Sequence, residues 1–272
     1  MRYKVFNLFK SIFQTAHWLS LDVVLGAISL HLAFSKLPLG SPAIWTTQTS
    51  LLALSVWAIY LLDRLLDNRR PEENQTKRHA FHLKYQFNLS LLFLLIVIIC
   101  SFLVFTLPTA IFHFGLFVLL SVAMYFGLVH VYLKNKKIIF WVKTWGIAII
   151  YPLAVVGSIF VQQSSINLSS WLAALFVGLI SLQNLLLFAH FENGQPSKHG
   201  KTIRYIAILL LFTWIFLFYG AQTYPSFLTG ILVGISIIYS LIPLFYNQLI
   251  KNENYRWVID SLFITSILSL IF

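Results

Sequence analysis

The feature that most constrains this chain is how far apart its charged side chains lie. Residues 85–133, 144–191 and 205–250 contain no Asp, Glu, Lys or Arg. A helix crosses the roughly 30 Å hydrocarbon layer with about 20 apolar residues, at 1.5 Å of rise each. Each stretch is therefore about two spans long and predicts a pair of helices joined by a short turn. Turn-forming residues fall near each midpoint: Thr106-Leu107-Pro108-Thr109, Gln162-Gln163-Ser164-Ser165 and Gln222-Thr223-Tyr224-Pro225-Ser226. Residues 11–35, whose one charge is Asp22, and residues 37–62, which have none, predict one span each. A short last segment from about residue 256 predicts a ninth, with tilt or local bilayer thinning making up its length. The apolar runs lack the two-residue alternation of a membrane barrel. The expected fold class is all-α: a polytopic membrane bundle of nine transmembrane helices, in a single domain over residues 1–272.

Composition agrees and narrows the class. The chain is 59% hydrophobic and 10% charged, against roughly a quarter charged in soluble domains. That excludes a water-soluble enzyme, a disordered chain and a collagen-like one. The single cysteine, Cys100, lies in an apolar run and leaves no disulfide framework or thiolate metal site. The formal net charge of +11 has a topological explanation. Of the 19 basic residues, 18 fall before the first span or in alternate connections, and only Lys36 lies on the other side. By the positive-inside rule the N-terminus is cytoplasmic and the C-terminus outside. Little basic charge is left over for nucleic acid, so no nucleic-acid partner is expected. Residues 1–12, basic and amphipathic, read as an interfacial helix leading into the first span.

The acidic residues are more informative. Asp22 falls a third to half way through the first span, where a carboxylate costs a few kcal/mol; it is expected to face the bundle interior or to share a hydrogen bond with a neighbouring helix. Asp63 and Asp67, at i and i+4 in Tyr60-Leu-Leu-Asp63-Arg64-Leu-Leu-Asp67-Asn68-Arg69-Arg70, lie on one helix face about 5–6 Å apart where the second span leaves the membrane. Two such carboxylates can share a divalent cation, or form a helix-end ion-pair cluster with Arg64 and Arg70. Cytoplasmic loops at about 63–85 and 190–204 carry the acidic groups, the second running from His190 through Glu192, Lys198 and Gly200 to Lys201 and Thr202. Tyr132, Lys134, Lys136, Lys137 and Lys143 form a basic cluster after the fourth span, and Arg256 and Asp260, again i and i+4, suggest a structural ion pair. His17, His31, His113 and His130 show no metal-ligand spacing.

Together these residues resemble the UbiA superfamily of intramembrane prenyltransferases, over nearly the whole chain. That family's first motif is Asn-Asp-x-x-Asp-x-x-x-Asp; its last two aspartates match Asp63 and Asp67, and Ile59 and Tyr60 stand at the first two positions. Its second motif is Asp-x-x-Asp-Asp-x-x-x-Gly followed by a basic and a hydroxyl residue. Glu192 stands at the first acid and Gly200, Lys201 and Thr202 match the end, whereas Gln195 and Pro196 replace the aspartate pair. The chain is thus similar to a divergent member with a degenerate second motif.

The resemblance implies transfer of a prenyl group from an allylic prenyl diphosphate to a lipophilic or aromatic acceptor. It implies Mg²⁺ held by Asp63, Asp67 and Glu192 at the cytoplasmic face, and diphosphate contacts from Arg70, Lys134, Lys143, Lys198 and Lys201. The implied setting is a bacterial cell (inner) membrane. A non-catalytic scaffold or partner subunit with the same fold, and a small-solute transporter using Asp22, are the other two classes compatible with the sequence.

Overall fold

The computed structural model describes residues 13–37, 45–68, 77–192, 196–219 and 227–270. A helical turn at 13–18 leads to a break at Leu19-Ser20, after which α1 (Leu21–Lys36) begins. There follow α2 (Thr47–Asp67), a short α3 (Lys77–Lys84), α4 (Gln86–Val104) and α5 (Thr109–Phe126), which continues as a π-helical stretch over Gly127–Tyr132. Next come α6 (Lys136–Phe160), α7 (Leu168–Glu192), α8 (Pro196–Tyr219) and α9 (Phe227–Leu241). After a 3₁₀ turn (Ile242–Phe245) and α10 (Tyr246–Leu249), the chain ends in α11 (Asn254–Ser261), drawn out into 3₁₀ helix over Leu262–Leu270. Among the described residues there is no strand.

Among the described residues, seven helical segments are long and apolar enough to cross a membrane, beginning with α2 and ending with Phe227–Leu249. Their outward faces confirm the solvent they are built for. On α4, Phe87, Leu91, Leu94, Leu95 and Ile98 are all exposed, far more contiguous apolar surface than a water-soluble monomer presents. The protein is an integral, multi-pass membrane protein. The three long charge-free stretches divide as expected into α4/α5, α6/α7 and α8/α9, and the first two turns fall at 105–108 and 161–167. The third turn, at Gln222–Ser226, and the segment 1–12 lie outside the described residues.

The core lies along α1, α6, α7 and α9, where Leu30, Phe34, Val155, Phe176, Ile180, Leu187, Leu232 and Tyr239 are buried. α1 and the 3₁₀ segment Leu262–Leu270 pack against each other. Gly26 makes this approach possible: a Cβ there would stand 2.8 Å from that of Phe263. Small residues let membrane helices come this close where no water drives them together.

Both acid-bearing connections contain helix. The 63–85 connection contains α3, whose Arg78 and His82 are buried. The 190–204 segment is mainly helix: α7 runs through Glu192 and α8 begins at Pro196. Proline is favoured at a helix start, where its missing N–H has no partner to lose.

Candidate functional site

The last turn of α2 carries the acid pair. The helix begins with a capping box in which Thr46 and Thr49 bind each other's backbone N–H groups. It then runs 21 residues, about 31 Å at 1.5 Å per residue, so its final turn emerges at the basic end of the bundle. There Asp63 and Asp67 share a face, as their spacing requires. Arg64 Nη1 lies 3.9 Å from Asp63 Oδ2 and 3.5 Å from Asp67 Oδ2. From α6, Lys143 Nζ donates to Asp67 Oδ1 at 3.3 Å and lies 3.9 Å from Asp63 Oδ1. α6 is set by Asn135, whose side chain caps the N–H groups of Lys137 and Ile138.

A third group arrives from the π-helical stretch. His130 Nε2 lies 3.6 Å from Asp63 Oδ1, with its ring stacked on Phe126. A π turn rotates the residues after it relative to a continuous α-helix and often occurs at functional sites. One donor atom each from Asp63, Asp67 and His130 lie within 4.8 Å of one another.

Asp63 also lines an apolar cavity of about 90 Å³ between α2, α5 and α6. Tyr60, Tyr125, Phe126 and Tyr151 line it, and the Tyr151 hydroxyl has no hydrogen-bond partner. A larger, wholly apolar cleft of about 650 Å³, bordered by Trp145, Pro152, Gly157 and Trp171, runs along another side of α6.

The expected ligand set is only partly assembled. Glu192 does not join the aspartates; its Oε1 accepts from Arg256 Nη2 at 2.7 Å, because α11 starts against the end of α7. Arg256, 3% exposed, also reaches Glu253 at 3.2 Å. It does not pair with Asp260, so the expected i, i+4 ion pair is not formed. Asp260 instead accepts from the Asn184 amide at 3.4 Å and lies beside His17 and Asp22. Asp22 sits in the first turn of α1, just after the Ser20 break, and meets His17 Nδ1 at 2.5 Å. Lys134 and Lys201 are exposed and neither pairs with Asp63 or Asp67. Arg70 and the side chain of Lys198 lie outside what the structure describes.

Three functional candidates escaped the sequence reading. His130 and His17 show no ligand spacing, yet the fold brings each against carboxylates. The third is Arg78 on α3, 6% exposed, whose Nε has no hydrogen-bond partner. Burial first, then the positive fields of Arg64 and Arg256, bring its guanidinium down to about 9. A buried cation held against other cations favours an anion nearby.

No protein-family model matches the chain, and no solved structure matches it. Among curated proteins it is similar to Rhomboid-related protein 1 of Caenorhabditis elegans, with 34% identity over 88 residues. That match covers 32% of this chain and 23% of the relative, so the chain spans less than a quarter of that protein's length.

Proposed function

We propose that this protein is a UbiA-like membrane prenyltransferase. In this reading it binds an allylic prenyl diphosphate at the cytoplasmic end of a nine-span bundle and transfers the prenyl group to a lipophilic or aromatic acceptor. α1 with its preceding turn, and α11 with the 3₁₀ segment after it, supply the two spans beyond the seven long helices. The distribution of Lys and Arg supports a cytoplasmic N-terminus and an outside C-terminus. The membrane implied is a bacterial cell (inner) membrane.

The observation that carries the reading is that Asp63 both belongs to a charged cluster and lines an apolar cavity walled by tyrosines. A prenyl diphosphate is built the same way, with a polyanion at one end of an apolar chain. A dry cavity of about 150 Å³ admits a benzene ring, so 90 Å³ suits the reacting end of the chain, with the rest extending between helices toward lipid.

Mg²⁺ takes one or two carboxylates and fills its remaining positions with water and phosphate oxygens. Asp63 and Asp67 fit that demand; Glu192, held by Arg256, does not contribute. When bound, the ion would neutralise negative charge on the leaving group. The chain's own residues do the rest. As the carbon–oxygen bond breaks, its electron pair goes to the diphosphate, and Arg64, Lys143 and Arg78 offer positive charge to it. Such preorganised charge counts for most where water is excluded. The faces of Tyr60, Tyr125, Phe126 and Tyr151 can stabilise the allylic cation left behind until the acceptor forms a bond to it and gives up a proton in exchange.

Calorimetric binding of prenyl diphosphates to purified protein, with and without Mg²⁺, tests the proposal. Asp63→Ala, Asp67→Ala and Arg78→Met are each expected to weaken binding at least tenfold, about 1.4 kcal/mol. Binding equal to wild type in all three variants, or absent from wild type, would remove the proposal and favour a scaffold role.

A further inference from the structure

His17, Asp22 and Asp260 form a second cluster that the prenyl-transfer reading leaves unused. One donor atom each from these three side chains lie within 4.8 Å of one another. They come from three parts of the chain: the turn before the break, the first turn of α1, and α11. In a continuous helix, residues five apart point well away from each other. The left-handed conformation at Ser20, with φ of 58°, breaks the helix and folds His17 back onto Asp22. The side chains of His17 and Asp22 are 10% and 11% exposed.

The surroundings orient these groups. Asp22 Oδ1 accepts from the Val23 N–H at 3.1 Å, leaving Oδ2 toward His17. Asp260 Oδ1 accepts from Asn184. Asn184 in turn meets the Tyr239 hydroxyl at 3.2 Å, and that hydroxyl donates to the Ile259 carbonyl at 2.8 Å. Such outer partners are the usual support of metal-binding carboxylates and imidazoles. Two carboxylates facing one another with one imidazole make a formal charge of −2 when the imidazole is neutral. No Lys or Arg lies within ion-pair distance of either acid among the described residues. Arg78 acts on Asp260 only at longer range.

We propose that His17, Asp22 and Asp260 bind a divalent transition-metal ion of the zinc type, clasping the beginning of the bundle to its end. A set of one imidazole and two carboxylates suits Zn²⁺ or Mn²⁺ better than Mg²⁺, which asks for oxygen alone. Bonds of 2.0–2.2 Å in a tetrahedral site separate ligand atoms by about 3.3–3.6 Å. His17 and Asp22, 2.5 Å apart, would part by about 1 Å to reach that value, which lies inside the 4.8 Å limit on all three donor atoms. Three protein ligands leave a position for water. This site is independent of the Asp63/Asp67 pair and stands or falls without it.

The test uses the full-length protein in detergent micelles, with Zn²⁺ followed by equilibrium dialysis and Co²⁺ by its visible absorption bands. Wild type is expected to bind one equivalent at the triad. His17→Ala and Asp260→Asn should each lose that equivalent, and Asn184→Ala should weaken it about 10–100-fold. The double variant Asp63→Asn/Asp67→Asn should retain it. Elution profile and melting temperature identify variants that fail to fold; for any that do, His17→Gln and Asp22→Asn take their place. The proposal is overturned by wild type binding neither ion, by triad variants that keep the bound ion, or by its loss in the Asp63/Asp67 double variant alone.

Discussion

Replacing Gly26 by alanine tests how α1 meets residues 262–270. Gly26 is buried on α1, and a Cβ there would lie 2.8 Å from the Cβ of Phe263, where carbon contacts are ordinarily about 3.5–4.0 Å. α1 and the last segment must therefore part by about 1 Å, or Phe263 must leave its place. Overpacking of this size costs about 1–3 kcal/mol. Alanine also returns about 1 kcal/mol of helix propensity, so the net effect is roughly neutral to 2 kcal/mol unfavourable. The same substitution at Gly234 on α9 meets nothing within 4 Å and keeps the propensity gain alone. The informative quantity is the difference between the two variants, about 1–3 kcal/mol, or several degrees of melting temperature for a chain of this length. Thermal unfolding in detergent, followed by intrinsic fluorescence, measures it. If Gly26→Ala melts together with Gly234→Ala, the close packing of the first helix on the last segment is wrong.

Arg256→Leu should destabilise the protein by about 1–3 kcal/mol, less than a fully buried pair because Glu192 can turn to water. Glu192→Gln, which keeps an acceptor, should cost less, and equal melting of Arg256→Leu and wild type would show the ion pair to be idle. Tyr239→Phe removes the hydroxyl between Asn184 and Ile259 and should cost about 1–2 kcal/mol; an unchanged melting temperature would sink that network. His82 on α3 is held at about 4, below its usual 6.5, because burial disfavours the charged ring; its contact with the Trp18 carbonyl opposes this only in part. Between those values the unfolded chain binds the extra proton, so stability should fall as pH drops from 6.5 toward 4 and be unaffected above 6.5. A pH series of melting temperatures should be flatter for His82→Gln; parallel curves would refute the assignment.

Helix positions were legible because they follow from one physical demand, the absence of charge across the hydrocarbon layer. The Pro108 and Gln162 turns fall where that demand relaxes. The pairing of charges was less legible. Asp63 and Asp67 could be matched from their spacing because one helix face is fixed by local geometry. Arg256 and Asp260 obey the same spacing and still do not pair, since Glu192 lies at a better distance on a neighbouring helix. His17 and His130 could not be read at all: one depends on a broken helix at Ser20 and the other on a π turn after Phe126. Nothing in their local sequence announces either.

The packing of α1 against residues 262–270 also bears on the order of synthesis. α1 leaves the ribosome well before residues 262–270 are made, so until then the face of α1 around Gly26 must be sheltered in lipid or against the insertion machinery. Stalling the ribosome before residues 262–270 emerge should leave α1 open to cross-linking by insertion factors, and their emergence should release it.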